Sequence, residues 1–254
     1  PRRILIQHDV HMLNTPSMFL KQHLALASAT HAVAISKTVR AFLHDTWQVP
    51  YEKITVIYNG IDTEKMRAGI KPHKSKSPLV VGYLGRLEPI KGPKYFLEAL
   101  KHLSEKGVRP SAVMAGDGSL RTALESYAKE HDLSHVTFTG FFSDVTKTLR
   151  DIDILVIPSE EEGLGLVALE ALIAEKVVLA TNISAFRELI DDTNGVLFEK
   201  GNGEALADKL LDVLTNPDSF ERLRKGVSAW KKENEAVYDV KNKAREYGKV
   251  LGLS

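Results

Sequence analysis

Short apolar runs recur along almost the whole chain, at Ile4–Gln7, Ala32–Ile35, Thr55–Ile57, Val80–Leu84, Ala112–Ala115, Val136–Thr139, Ile154–Ile157, Val177–Ala180 and Val196–Phe198. Several, such as Ile154–Ile157, contain no polar residue. A strand apolar on both faces needs cover on both faces. The longer stretches between the runs supply that cover: Lys94–Glu105, Leu120–Glu130 and Gly203–Leu214 carry apolar residues at helical spacing. Strand–helix alternation of this kind selects an α/β fold of doubly wound parallel sheets.

One stretch breaks the rhythm. Ala68–Pro78 holds Gly69, Pro72 and Pro78 among lysines, a histidine and serines, and reads as a linker. The expected organisation follows from it. Residues 1–67, with too few strands for an independent doubly wound domain, form part of a first Rossmann-like domain. Residues 68–78 connect it to a complete Rossmann-like domain at 79–226, and 227–254 form a charged helical tail.

Basic residues (34) nearly balance acidic ones (33), so a nucleic-acid partner, which calls for a basic excess, is not expected. There is no cysteine, which excludes disulfides, thiolate metal sites and cysteine nucleophiles, and fits a reducing, cytoplasmic setting. No apolar run reaches the roughly 18 residues of a membrane span. The start, Pro1-Arg2-Arg3-Ile4, is not a signal peptide, and the absence of an initiator Met suggests a fragment or processed product.

Chemistry concentrates at strand ends. After Ile154–Ile157 comes Pro158-Ser159-Glu160-Glu161-Glu162-Gly163-Leu164-Gly165-Leu166-Val167-Ala168-Leu169-Glu170, a glycine turn opening a helix. Glycines let backbone approach a ligand, and the free amides of a helix start suit a phosphate. Glu162 and Glu170 could accept hydrogen bonds from hydroxyls, whereas Glu160 and Glu161 read as a solvated acidic loop. After Val80–Leu84 comes Gly85-Arg86-Leu87-Glu88-Pro89-Ile90-Lys91-Gly92, where a forked guanidinium and an ammonium could share a diphosphate. Ala115-Gly116-Asp117-Gly118 is either a third ligand loop or a tight turn with a helix cap. Phe141 and Phe142, after Val136–Thr139, could meet a flat base or pack in the core. His8 ends the first strand, as a hydrogen-bonded turn residue or a group facing the site, with His11 a weaker alternative. Asp151-Ile152-Asp153 has a metal-binding look, but a helix-to-strand turn explains it more simply, and no metal site is expected.

Taken in order, the Gly-Arg-x4-Lys-Gly element from Gly85 to Gly92, the Ala-Gly-Asp-Gly turn, the Val-x-Phe-x-Gly strand and the Glu-x7-Glu element from Glu162 to Glu170 resemble the retaining family-4 glycosyltransferases (glycosyl transferases group 1). The likeness runs from about Ile4 to Leu251. A Gly-x-Gly-x-x-Gly on the first strand, which a nicotinamide-binding domain would need, is missing. The resemblance implies the GT-B architecture and transfer of a sugar from a UDP- or GDP-sugar to a hydroxyl of a glycan, lipid or small molecule, with retention of configuration and without a metal or other cofactor.

It further implies that Gly85, Arg86 and Lys91 hold the diphosphate and that Glu170 binds the ribose. Glu162 and the backbone of Gly163, Leu164, Gly165, Leu166 and Val167 would face sugar and phosphate. Phe141 and Phe142 would present backbone to the base, and His8 would face the reacting sugar. Glu162 could be a nucleophile by chemistry alone, but a positioning role is favoured. The tail would return to the first domain. Where the family has a Gly-x-Pro turn, this chain has Ala174-Glu175-Lys176-Val177-Val178.

Two other readings stay open: a nucleotide-sugar-binding module without catalysis, and a sugar phosphorylase or epimerase of similar architecture. The basic stretch Lys65–Lys76 is a solvated linker or a contact with anionic lipid at the inner face of a membrane.

Overall fold

The computed structural model describes residues 3–10, 16–69 and 78–252. Two parallel sheets organise it. The smaller is built from β1 (Ile4–Gln7), β2 (His31–Ala34) and β3 (Ile54–Val56), in that spatial order. Helix α1 (Pro16–Ser28) links β1 to β2, α2 (Lys37–Trp47) links β2 to β3, and α3 (Thr63–Gly69) follows. The six-stranded sheet comprises β4 (Val80–Leu84), β5 (Ser111–Ala115), β6 (Val136–Gly140), β7 (Ile154–Ile157), β8 (Val177–Thr181) and β9 (Gly195–Phe198). Its helices are α4 (Pro93–Glu105), α5 (Arg121–Glu130), α6 (Val145–Arg150), α7 (Leu166–Ile173), the single-turn α8 (Ser184–Arg187) and α9 (Gly203–Thr215); α10 (Pro217–Asn234) and α11 (Val240–Leu251) close the chain.

The large sheet runs β6-β5-β4-β7-β8-β9, all parallel. The chain winds outward from β4 in one direction, returns, and winds outward from β7 in the other. Helices therefore leave β4 and β7 on opposite faces, and a crevice opens between their carboxyl ends. Period-two alternation divides the core. Ile154 and Val156 face a cluster with Phe96, Leu97, Leu100, Leu206 and Leu210, whereas Leu155 and Ile157 face the other side. That second cluster continues without a break into the small sheet through Ile35, Val39, Leu43, Ile54 and Met66.

The carboxyl-terminal segment ties the two sheets together. Between α10 and α11 the chain pairs with Ile61: Ile61 donates its amide to the Tyr238 carbonyl at 2.9 Å, and Val240 donates to the Ile61 carbonyl at 2.9 Å. Thr63 Oγ1 donates to Asp239 Oδ2 at 2.6 Å, and that aspartate also caps α11. Tyr238 meets Tyr58 edge-on and stacks with Trp230. Gly60 has no space for a side chain, because a Cβ would lie 2.7 Å from the Val240 Cα.

Several expectations are revised. Residues 68 and 69 belong to α3, not to a linker, while 70–77 lie outside the described residues. The division at 226/227 falls inside α10, where Gly226 packs on the Thr193 carbonyl. Helix α10, which carries the start of the expected tail, begins at Pro217, with Asn216 capping it. The Asp-x-Asp pair is a helix-to-strand turn, the reading preferred from the sequence: Asp153 is buried and accepts from the Val80 amide at 2.8 Å. Glu175, in the stretch that stands where the family has a Gly-x-Pro turn, adopts a left-handed φ of 57°. Its carboxylate accepts from Ser228 Oγ at 2.7 Å and Lys231 Nζ at 3.2 Å, offsetting a conformation that costs a non-glycine residue energy.

A Gly60→Ala substitution is expected to destabilise the chain by about 1–3 kcal/mol, because α11 must move to admit the methyl. Thermal denaturation measures this, and an unchanged Tm would contradict the packing.

Candidate functional site

The crevice between β4 and β7 opens into a cleft of about 310 Å³ that also touches the small sheet. One wall is His8, Ile35 and Asn59. The other is the end of β4 (Tyr83, Leu84, Gly85), Lys91, Ser159 and the loop from Glu162 into α7.

The 162–168 loop is shaped by its glycines. A Cβ on Gly163 would run into the His8 carbonyl, so the two sheets meet here through bare backbone. Gly165 sits at φ 84°, a left-handed conformation, and opens α7 without a side-chain cap. Consequently the backbone amides of residues 163–167 have no hydrogen-bond partner among the described residues. Five consecutive free donors at the positive end of a helix can receive an anion. Glu162 Oε1 accepts from Lys91 Nζ at 2.6 Å and from Ser159 Oγ at 2.9 Å, which fixes both the carboxylate and the ammonium. Glu160 is no solvated loop residue. It accepts from Tyr95 Oη at 2.7 Å and pairs with Lys200 Nζ at 3.3 Å, so it braces the loop.

The β4 loop is braced by its neighbour. Gly85 donates to the Ala115 carbonyl at 3.0 Å and Leu87 to the Asp117 carbonyl at 2.9 Å. Gly116 and Gly118 press on the carbonyls of Gly85 and Leu87, with no room for side chains, and Glu88 accepts from the amide and hydroxyl of Ser119. The Ala-Gly-Asp-Gly turn is therefore scaffolding for Arg86. Buried Tyr83 donates its hydroxyl to the Arg86 carbonyl at 2.8 Å. The Arg86 side chain is exposed, makes no ion pair or hydrogen bond among the described residues, and stands outside the cleft lining.

Other expected residues are less central. Phe141 is 79% exposed, so core packing does not account for it; Phe142 packs against the core. Neither lines the cleft, and His11 falls outside the described residues. Glu170 lies beyond the cleft wall on α7. Burial pushes its carboxyl up to about 7, with Lys65 on α3 opposing the shift. Among the described residues no group of three or more His, Cys, Asp or Glu is placed to hold a metal, and no helix is long and apolar enough to cross a membrane.

Residues the sequence did not single out complete the site. Ser36 caps α2, accepting from the Val39 amide at 3.0 Å while donating to the Gly163 carbonyl across the interface. Glu188 accepts from the amides of Lys37 (2.9 Å) and Thr38 (2.6 Å), from Thr38 Oγ1 (2.6 Å) and from Tyr58 Oη (3.0 Å). A capping serine before a helix was visible in the sequence; nothing there pairs Glu188 with a helix some 150 residues away.

The glycosyl transferases group 1 family profile matches residues 65–230, well over half of the chain. The chain belongs to this family. The glycosyltransferase family 4 profile matches residues 7–65. An uncharacterized glycosyltransferase of Methanocaldococcus jannaschii is 27% identical over 235 residues, covering 88% of this chain and 62% of that protein. The alpha-D-kanosaminyltransferase of Streptomyces kanamyceticus is 28% identical over 212 residues, covering 78% and 55%. This glycosyltransferase-family chain thus spans little more than half the length of those relatives. The structure of Anabaena HepE in complex with UDP and glucose superposes with a TM-score of 0.78 at 20% identity, covering 98% of this chain and 71% of that one. The fold is GT-B.

Because burial raises Glu170 above its unfolded value, the folded chain keeps a proton that the unfolded chain releases above about pH 4.5. Stability contributed by this group therefore falls as pH rises from about 4.5 to 7, by on the order of 1–3 kcal/mol. Glu170→Gln is expected to flatten that slope in urea titrations across the range; an identical slope would contradict the burial of an unpaired carboxyl.

Proposed function

We propose that this chain forms the donor side of a retaining glycosyltransferase, taking a UDP- or GDP-sugar and delivering the sugar to a hydroxyl of a glycan, lipid or small molecule. The carrying observation is the run of unpartnered amides at 163–167 in a cleft with Lys91, next to the unpaired Arg86. In this reading the small sheet is the end of the acceptor-side domain, α11 returns to it, and the large sheet holds the nucleotide. The UDP complexes among similar folds fit that division, HepE being one.

As the bond from the anomeric carbon to the diphosphate oxygen breaks, negative charge grows on the leaving group. Lys91 and the α7 terminus lower the barrier by meeting that charge with donors already in place, and Arg86, exposed outside the cleft lining, swings in to join them. The acceptor oxygen then bonds to the anomeric carbon from the face the diphosphate leaves, and its proton passes to the departing phosphate, so configuration is kept. Glu162 is assigned to positioning: its Oε1 carries Lys91 and Ser159, which ties the carboxylate to the cation that meets the diphosphate. His8, on the opposite wall, faces the sugar, and Glu170 accepts from ribose hydroxyls. Phe141 and Phe142 border the base.

Arg86→Ala is expected to lower turnover of a UDP- or GDP-sugar by about 10²–10³-fold, the size of losing one preorganised charge-stabilising donor. Steady-state kinetics with donor panels provide the measurement. Near-normal turnover in the variant would defeat the diphosphate assignment.

A further inference from the structure

The free amides of the 162–168 loop are useful only if their peptides are turned the right way. In a trans peptide the carbonyl oxygen of one residue and the amide hydrogen of the next point in opposite directions. The direction of the Gly163 carbonyl therefore sets the direction of the Leu164 amide. Glycine at 163 and 165 leaves this segment with the least intrinsic resistance to turning over. Something outside the loop has to hold it.

That restraint comes from the other sheet. Ser36 is fully buried, and its hydroxyl donates to the Gly163 carbonyl. The same oxygen accepts from the Val39 amide at 3.0 Å, so both its proton and a lone pair are committed and its rotamer is fixed. The helix carrying Ser36 is itself held. The Glu188 carboxylate takes the amides of Lys37 and Thr38 and the Thr38 hydroxyl, an anion at the positive end of α2. Glu188 follows β8, whose last residue, Thr181, donates to the Ser159 carbonyl at 2.6 Å at the start of the same loop. The loop is thus gripped at both ends, once by its own sheet and once by α2.

We propose that Ser36 is a positioning residue for the donor loop: by holding the Gly163 carbonyl, it turns the Leu164 amide and those after it away from α2 and toward the anion. This inference rests on the proposed function for its ligand, but not for its geometry. When the two sheets separate, the Ser36 contact breaks with them, so the anion site is complete only while the sheets are together.

The test uses UDP and GDP as probes in calorimetric titrations of the whole chain, with Ser36→Ala, Ser36→Thr and Thr38→Ala. Ser36→Ala should weaken the tighter-binding nucleotide at least about fivefold, the worth of one hydrogen bond. Ser36→Thr, which keeps the hydroxyl, should restore most of it. Thr38→Ala, which removes one of the bonds that hold α2 without touching Gly163, should weaken binding less than Ser36→Ala does, and an equal or larger loss overturns the assignment to the Gly163 contact. Equal binding by wild type and Ser36→Ala overturns the inference while leaving the functional reading intact. Binding of neither nucleotide by wild type tells against the functional reading, and the geometry is then decided by the nucleotide-free crystal structure of Ser36→Ala. A 163–164 peptide turned over or split between two orientations supports the inference, and one unchanged from wild type overturns it.

Discussion

A single carboxylate, Glu188, sits where two sheets that are separate in sequence must agree. Two helix amides, a threonine hydroxyl and the Tyr58 hydroxyl converge on it. Hydrogen bonds to an ionised acceptor are about twice as strong as neutral ones, and a helix start favours the negative charge. Burial, with the nearby Glu188 adding to it, keeps the Tyr58 hydroxyl firmly protonated and available as a donor. With α2 anchored in this way, Ser36 reaches Gly163 and the His8 backbone closes over the loop. Without that anchor the cleft would lose one of its walls.

The large sheet supplies the other half of the site for topological reasons. Reversal of strand order between β4 and β7 opens a crevice that no side chain has to carve. In the proposed reading each side contributes one kind of charge recognition. The β4 side brings side-chain cations on a loop stiffened by the glycine turn of residues 116–118. The β7 side brings backbone amides at a helix start. The Lys91–Glu162 pair joins the two, at 2.6 Å and largely shielded from water, so the ammonium is held ready instead of moving freely in solvent.

Much of this was legible in the letters because it is local. Apolar runs and helical periodicity located all nine strands to within about one or two residues, the usual uncertainty of element ends. Gly163 and Gly165 announced close backbone approach to a ligand; the crowding found there is with the chain itself, the His8–Asp9 backbone at Gly163 and the Phe186 ring at Gly165. What stayed hidden is long-range. Glu160 and Glu161 read alike as a solvated acidic loop, yet Glu160 is braced by Tyr95 on α4 and by Lys200 in the β9–α9 connection. Glu188 carries no motif and Ser36 reads only as a helix cap; their contacts across the interface exist only because the two sheets pack. The position of the break between α10 and α11 is long-range too, since it is stabilised by pairing with Ile61, far away in the chain.

The central claim is that a nucleoside diphosphate lies across both halves of the cleft, with its phosphates on the amides of residues 164–167 and on Arg86 and Lys91. A crystal structure of the chain with UDP or GDP tests it most directly. The account predicts density for the diphosphate within hydrogen-bond distance of those amides, with the Arg86 guanidinium swung in to meet it. A nucleotide bound elsewhere, or phosphates that leave the α7 amides unpartnered, would contradict it.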